Sequence, residues 1–302
     1  MTLNAAPPLR MMGGVHRGVL TGEYSEIAAA WPSPRHPLGD IDAAHAAIFR
    51  LCQKPSESLL DSMARDPQTN EVGRAAALAV ALSLVVAQTE LPIQLLEIGA
   101  SAGLNLRIDQ FACRAGDWRW GPSDASLHFG EHAYLGMPPA GLAGVVGRTD
   151  VIIERRGCDI HPIDSTSDDG ALTLTSYIWP DQFERLTRLD AAIAVARDLP
   201  AVVDQASADD WLDARAHPSR GCATVVMHSV MWQYMPDDVQ ARASAVLRER
   251  GERATSSAPF FEVALEPTPN ALELRLSITS WPGGRRRELA SCGGHGPPVT
   301  IL

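Results

Sequence analysis

Lysine is almost absent from this chain of 302 residues. Lys54 is the only one, and every other of the 26 basic side chains is an arginine. One residue is thus left for Schiff-base or lysine-base chemistry, and the G-K-[ST] lysine of a phosphate-binding P-loop is missing. Positive charge is in deficit as a whole: 36 Asp and Glu outweigh the 26 cations, for a formal net charge of -10. Proteins that neutralise nucleic-acid phosphates carry the opposite balance, as do those drawn to anionic membranes, so neither is expected as a partner. The five cysteines, Cys52, Cys113, Cys158, Cys222 and Cys292, are odd in number, widely spaced and without a C-x-x-C pair. That argues against a disulfide framework and a zinc knuckle; H-E-x-x-H is also missing, and no metal is expected. The longest apolar run, Ala75 to Ala87, spans 13 residues and contains Ser83, where a membrane helix needs about 20. Met1–Arg10 has no apolar segment of a secretion signal. These absences predict a cytoplasmic protein that acts on a small molecule.

What is present is an ordinary globular composition, 45% hydrophobic and 21% charged. Residues 1–92 read as a helical region. Leu9–Tyr24 is a candidate helix despite four glycines, Pro32, Pro34 and Pro37 mark a loop, and Asn70–Gln88 has the strongest helical pattern. Residues 93–302 read as an α/β domain. Leu95–Gly99, Val151–Ile153, Val202–Val203 and Ala223–Met227 are apolar without alternation, as in parallel strands buried on both faces. Helical stretches at Asp181–Arg197, Asp209–Arg215 and Asp237–Arg250 separate them, which predicts a Rossmann-like, doubly wound sheet. Phe261–Leu265, Leu272–Ser280 and Pro298–Leu302 read as closing strands, and the alternation in the second of these predicts one solvated face. An insertion over about 111–150, holding Trp118 and Trp120, reads as a hairpin.

The sharpest local feature is Glu97-Ile98-Gly99-Ala100-Ser101-Ala102-Gly103 at the end of the first candidate strand. Small residues let a backbone approach a ligand, and a following helix N-terminus offers free N–H groups. The spacing is not the G-x-G-x-x-G of dinucleotide folds. E-x-G-x-S-x-G is similar to the first motif of class I S-adenosylmethionine (SAM) dependent methyltransferases, [DE]-x-G-x-G-x-G, with Ser101 at the middle glycine. A tight strand-to-helix turn without any ligand accounts for the same residues. Further on, Ala223–Met227 runs into His228-Ser229-Val230-Met231-Trp232-Gln233-Tyr234-Met235-Pro236 and a helix, a layout common to the fourth strand of the same methyltransferases. Ligands in open α/β sheets sit at the carboxyl ends of strands. His228 therefore stands as a general base or a pocket wall, or else as a strand-end histidine bonded to backbone, with Trp232 beside it. Asp159 closes the second strand, where an acid takes ribose hydroxyls, although it follows Gly103 by about 55 residues rather than the usual 20 or so. Asp210 follows the third strand, either near an adenine amino group or as an acid in a helix start. Asn70 and Glu71 suit the opening of the long helix; Arg74 is not explained that way. These three and Trp179 are candidate pocket walls. Cys292-Gly293-Gly294-His295 reads as turn chemistry.

The chain resembles the bacterial family of unknown function DUF2332. The matching stretches are QTNEVGRAAAL from Gln68, LLEIGASAGLNL from Leu95, W-x-W-G at Trp118, ERRGCDIHPID from Glu154, SYIWPDQFERL from Ser176, TVVMHSVMWQYMP from Thr224, and the terminal WPGG and GHGPP. That resemblance implies no established activity. It implies further helical sequence ahead of Pro8, so that either the start is assigned late or a helical piece is missing. From the motifs, the expectation is a SAM-dependent methyltransferase of a small or medium metabolite. Glu97, Gly99, Ala100, Ser101, Gly103, Asp159 and Asp210 are expected at the cofactor and His228 at the chemistry. A non-catalytic SAM or nucleotide sensor and a structural or interaction protein on the same scaffold are the alternatives.

Overall fold

The computed structural model of the protein describes residues 6–34, 36–136, 142, 151–269 and 273–302. Four helices open it: α1 (Pro7–Leu20), α2 (Ser25–Ala30), α3 (Ile41–Gln53) and α4 (Glu57–Ala64). Then α5 (Ala75–Thr89) leads into β1 (Ile93–Ile98), and Leu104–Gln110 forms a 3-10 stretch. Next come β2 (Ala112–Ala115), β3 (Trp118–Trp120), β4 (His128–Phe129), β5 (Tyr134–Leu135), β6 (Ile152–Asp159), α6 (Asp168–Ser176) and α7 (Phe183–Asp198). After β7 (Val202–Gln205), α8 (Ala208–Arg215), β8 (Ala223–Ser229) and α9 (Asp237–Glu252), the chain closes with β9 (Phe260–Pro267), β10 (Leu274–Trp281), β11 (Arg285–Gly293) and β12 (Gly296–Ile301).

These elements form two units, residues 1–69 with 163–193, and residues 70–162 with 194–302. The division differs from the expected boundary at 92/93. Helix α5 belongs with the sheet, because it is apolar on every side: all of Ala75–Val86 is buried, and such a helix is stable only when covered all round. By length and composition Val72–Thr89 would also suit a membrane span; here it is a core helix. The helical unit has its own core of Val15, Tyr24, Ile27, Trp31, Ala47 and Leu59. The glycines of α1 serve that core by close approach; a Cβ on Gly14 would lie 2.7 Å from the Ser62 side chain.

The second unit is built on a nine-stranded, mixed and mostly parallel sheet of order β5-β12-β11-β10-β9-β8-β1-β6-β7. Strands β7, β6, β1, β8 and β9 run parallel to one another, and β10, β11 and β12 extend the sheet antiparallel. From β1 the chain builds outward to β6 and β7, then returns to lay β8 on the other side of β1. On one face Leu96, Ile98, Cys158, Val226 and Phe260 pack against Trp211 and Leu212 of α8 and Ala243 and Leu247 of α9; α5 packs against β9 to β12.

Two expectations change. Strand β10 has no solvated face: Ser277 and Thr279 are buried, because β10 is an interior strand with α5 and α9 both packed on it. Strand β11 escapes sequence reading, since it begins Arg285-Arg286-Arg287-Glu288 and only its second half is apolar. Leu272, expected in β10, lies outside the described residues. The described part of the insertion forms a three-stranded sheet of order β3-β2-β4 and gives β5 to the large sheet. In it Trp118 Nε1 donates to Ser83 Oγ at 3.1 Å, while Ser83 itself donates to the Ala79 carbonyl within the helix.

Candidate functional site

The turn after β1 is left-handed at alternate residues: φ is 64° at Gly99, 52° at Ser101 and 65° at Gly103. This backbone explains the G-x-S-x-G spacing, because positive φ is cheap for glycine and costly for a residue with a Cβ. The fold uses both glycines as well. A Cβ on Gly99 would lie 2.7 Å from Met231, and one on Gly103 2.7 Å from Val203. Three ties fix the turn. Ser101 N–H donates to Asp159 Oδ2 at 2.9 Å, and His161 N–H donates to Asp159 Oδ1 at 2.9 Å. Leu104 N–H donates to Asn70 Oδ1 at 2.8 Å. Arg107 reaches the Gly103 carbonyl with Nη1 and the Leu199 carbonyl with Nε, both at 2.7 Å. The stretch that follows is 3-10 and is broken at Arg107 (φ -105°). Its buried residues pack directly beneath the insertion: Trp120 Nε1 donates to the Ile108 carbonyl.

The polar groups under this turn are deeply buried. Glu97 is 2% exposed, and its Oε2 has no hydrogen-bond partner; Asn105 is 1% exposed with Oδ1 in the same state. Burial, with Asp159 adding, raises the Glu97 pKa to about 8, so the side chain carries its proton at neutral pH. Burial, with Arg155 adding, lowers Arg107 to about 10.

At the ends of β8 and β9 lies a second cluster. His228 Nδ1 is 2.7 Å from Glu266 Oε1, and Nε2 is 3.7 Å from Glu262 Oε1. Burial opposes the imidazolium, but Glu262 and Glu266 outweigh it and lift the pKa to about 9. His228 is therefore a cation at neutral pH, so its lone pair is not free for the base role expected of it. Trp232 packs on the ring with centroids 4.9 Å apart. Thr279 Oγ1 donates to Glu262 Oε2 at 3.0 Å, and Met231 N–H donates to Glu266 Oε1 at 3.3 Å. Between His228 and Trp232 the chain bends through Val230 at φ 52°, an unusual backbone for a β-branched residue.

Residues 70–74 join these parts. Arg74 donates from Nε to the Gly294 carbonyl and from Nη1 to the Ser229 carbonyl. Its pKa is lowered by burial, against the pull of Glu71 and Glu266. Glu71 Oε2 lies 3.2 Å from His295 Nδ1, and Gly73 N–H donates to Glu71 Oε1. The two backbones cross here: a Cβ on Gly73 would overlap the His295 carbonyl oxygen, and one on Gly296 the Gly73 carbonyl oxygen.

Of the residues singled out from sequence, Asn70, Glu97, Ser101, Gly103 and Asp159 are joined by bonds or direct electrostatics around one turn. Ala100 N–H is bound to the Cys158 carbonyl beside them. Arg74 acts on Glu97 on one side and on Glu266, the partner of His228, on the other. Asp210 is exposed in the first turn of α8, accepting from Ser207 Oγ; its neighbour Asp209 is buried on Arg242. Trp179 belongs to the helical unit. Sequence reasoning passed over Asn105, Arg107, Glu262, Glu266 and the role of His295. The signal existed: Asn105 and Arg107 interrupt Leu104-Leu106-Ile108, and Glu262 and Glu266, four apart on one strand, share a face. The segment Gly99–Gly103 also spells G-x-S-x-G, the serine turn of α/β-hydrolases. Among the described residues no group of three His, Cys, Asp or Glu is arranged to hold a metal ion.

The chain belongs to the family described as an uncharacterized protein conserved in bacteria (DUF2332), whose family model matches residues 1–300. Neither the curated proteins nor the solved structures yield a match to it.

Proposed function

We propose that this member of the DUF2332 family is a SAM-dependent methyltransferase acting on a small or medium metabolite, with a Rossmann-like, doubly wound core. The order β7-β6-β1-β8-β9 is third-second-first-fourth-fifth in chain sequence among the parallel strands. In such sheets ligands bind beyond the carboxyl ends at the point where strand order reverses, here between β1 and β8. The observation that carries the reading is the pair of buried side-chain oxygens without partners, Glu97 Oε2 and Asn105 Oδ1, at the two ends of the left-handed turn. Unsatisfied buried polar atoms are uncommon in folded proteins and call for a partner; the hydroxyl and amino groups of an adenosyl ligand can donate to Asn105 Oδ1, and its ring nitrogens and ribose oxygens can accept from the protonated Glu97. Asp159 fits the same ligand, since each carboxylate oxygen holds one N–H and retains a lone pair for a ribose hydroxyl. When bound, SAM supplies an electrophilic methyl group. The protein's own contribution is orientation: Asn70, Asp159 and Arg107 fix the turn, and Met231 and Trp232 wall the crevice.

Calorimetric titration with SAM and S-adenosylhomocysteine tests this. Ligand at 100 times its Kd stabilises the fold by about 2.7 kcal/mol. Asn105→Leu removes an unsatisfied acceptor, so the fold is expected to be as stable or more so, while affinity falls at least tenfold. No binding at millimolar ligand refutes the proposal; binding without transfer to any acceptor supports the sensor instead.

One observation favours a second reading, acyl transfer. Ser101 has positive φ in a G-x-S-x-G turn at a strand end, the backbone setting of the serine nucleophile in α/β-hydrolases. A fluorophosphonate probe that labels the wild type and not Ser101→Ala would establish it.

A further inference from the structure

Two carboxylates on one strand, Glu262 and Glu266, share the single imidazole of His228, and the unit they form is incomplete. The side chains of Glu262 and Glu266 are 21% and 19% exposed, whereas that of His228 is 3% exposed behind them. Glu266 Oε1 is used twice, by His228 Nδ1 and by Met231 N–H, while Oε2 is buried without a partner. His228 Nε2, also without a partner, faces Glu262 Oε1 across 3.7 Å, beyond hydrogen-bond length. Other charges nearby are already engaged or solvated. Arg74 is bound to two carbonyl oxygens and acts on both Glu71 and Glu266, and the exposed Arg286 acts on Glu262 from the solvent side. Trp232, stacked on the imidazole, adds an aromatic ring to the rim. An imidazolium keeps both carboxylates ionised and apart. What remains open is Glu266 Oε2, which has no donor, and an aromatic wall beside carboxylates is a setting that suits an alkylammonium.

We propose that Glu262, Glu266 and Trp232 form a recognition site for the amino group of an aliphatic amine, with His228 as the buried positioning residue that holds the two carboxylates. Naming that amine as the methyl acceptor rests on the methyl-transfer reading; recognition of the amine does not. The site reads charge and donor geometry, so the uncharged alcohol of the same length is rejected.

The test uses the full chain and three probes, spermidine, n-butylamine and n-butanol, titrated calorimetrically at pH 7.5, with SAM titrated in parallel. The amines are expected to bind and the alcohol to bind at least tenfold more weakly. Glu266→Gln is expected to weaken amine binding at least tenfold, with SAM affinity within twofold, and Trp232→Leu to weaken amine binding about threefold. Because Glu266→Gln disturbs His228, Glu262→Gln is measured as well, and nitrogen-15 imidazole spectra of the wild type are recorded with and without spermidine. A shift of the His228 ring signals on amine addition supports the site. Equal binding of amine and alcohol, no amine binding while SAM binds, or unchanged affinity in both Gln variants overturns it. Amine binding without SAM binding upholds the recognition site and removes the acceptor assignment.

Discussion

Replacing Glu97 with Gln is expected to flatten the pH dependence of stability. Glu97 is buried at the end of β1 and its pKa rises from 4.5 to about 8, through burial first and the Asp159 charge second. A carboxyl whose folded pKa lies above its unfolded value stabilises most below the unfolded value and loses that contribution as pH climbs through the folded one. Ionisation of this one group thus costs the wild type roughly 2 kcal/mol by pH 6 and about 4 kcal/mol by pH 8, levelling above pH 9. Gln has the same shape and cannot ionise. The assay is urea denaturation from pH 5 to 9, followed by tryptophan fluorescence, for both proteins. The imidazole of His228 titrates in both and cancels in the difference. The variant should gain on the wild type by about 2 kcal/mol between pH 6 and pH 8. Parallel stability curves over that interval would refute the buried, protonated state of Glu97.

Other perturbations have equally definite outcomes. Gly73→Ala puts a methyl group into the His295 carbonyl, and a thermal melt should show a loss of about 2 kcal/mol or more, as for overpacking against backbone; an unchanged melting temperature would contradict the crossing. Asp159→Ala strips two backbone N–H groups of their acceptor; about 1–3 kcal/mol of stability should go, and SAM affinity with it. Val230→Gly relieves a β-branched residue at positive φ, so the melting temperature should rise by a few degrees, and a fall would show that the side chain's packing outweighs the strain. Asp204, paired with Arg156 through two 2.7 Å bonds, has its pKa lowered to about 2. Asp204→Asn should narrow the gap to the wild type only below about pH 4, where the wild type begins to lose the pairing in acid titrations.

The centre of the parallel core was legible because β1 and β8 are apolar runs buried on both faces; β6 (IIERRGCD) and β7 (VVDQ) carry charges and exposed positions, because they lie at the edge of the sheet, and only their apolar starts were read. Strand β11 was not, since an edge-on start of three arginines has no period. The polar clusters divide in the same way. Glu97, Ser101 and Gly103 stand in one contiguous motif, and their left-handed backbone is written in the glycine spacing. The His228 environment is assembled from β8 and β9, with 37 positions between His228 and Glu266. Nothing local to His228 shows that two carboxylates would hold its proton. The Glu71–His295 contact joins positions more than 200 residues apart, and Gly73 and Gly296 are glycines for each other's sake, a reason that neither neighbourhood contains.

The chain crosses between its two units at 69/70, 162/163 and 193/194. Beside the first crossing, Asn70 holds Leu104. Asp159, three residues before the second, holds Ser101. Leu199, six residues past the third, is held by Arg107, which also grips Gly103. Ser101, Leu104 and Arg107 thus anchor the chain beside every covalent crossing out of the sheet unit. The loop after β1 is therefore where the sheet unit fastens its own chain beside each of these exits, a mechanical duty as well as a chemical one.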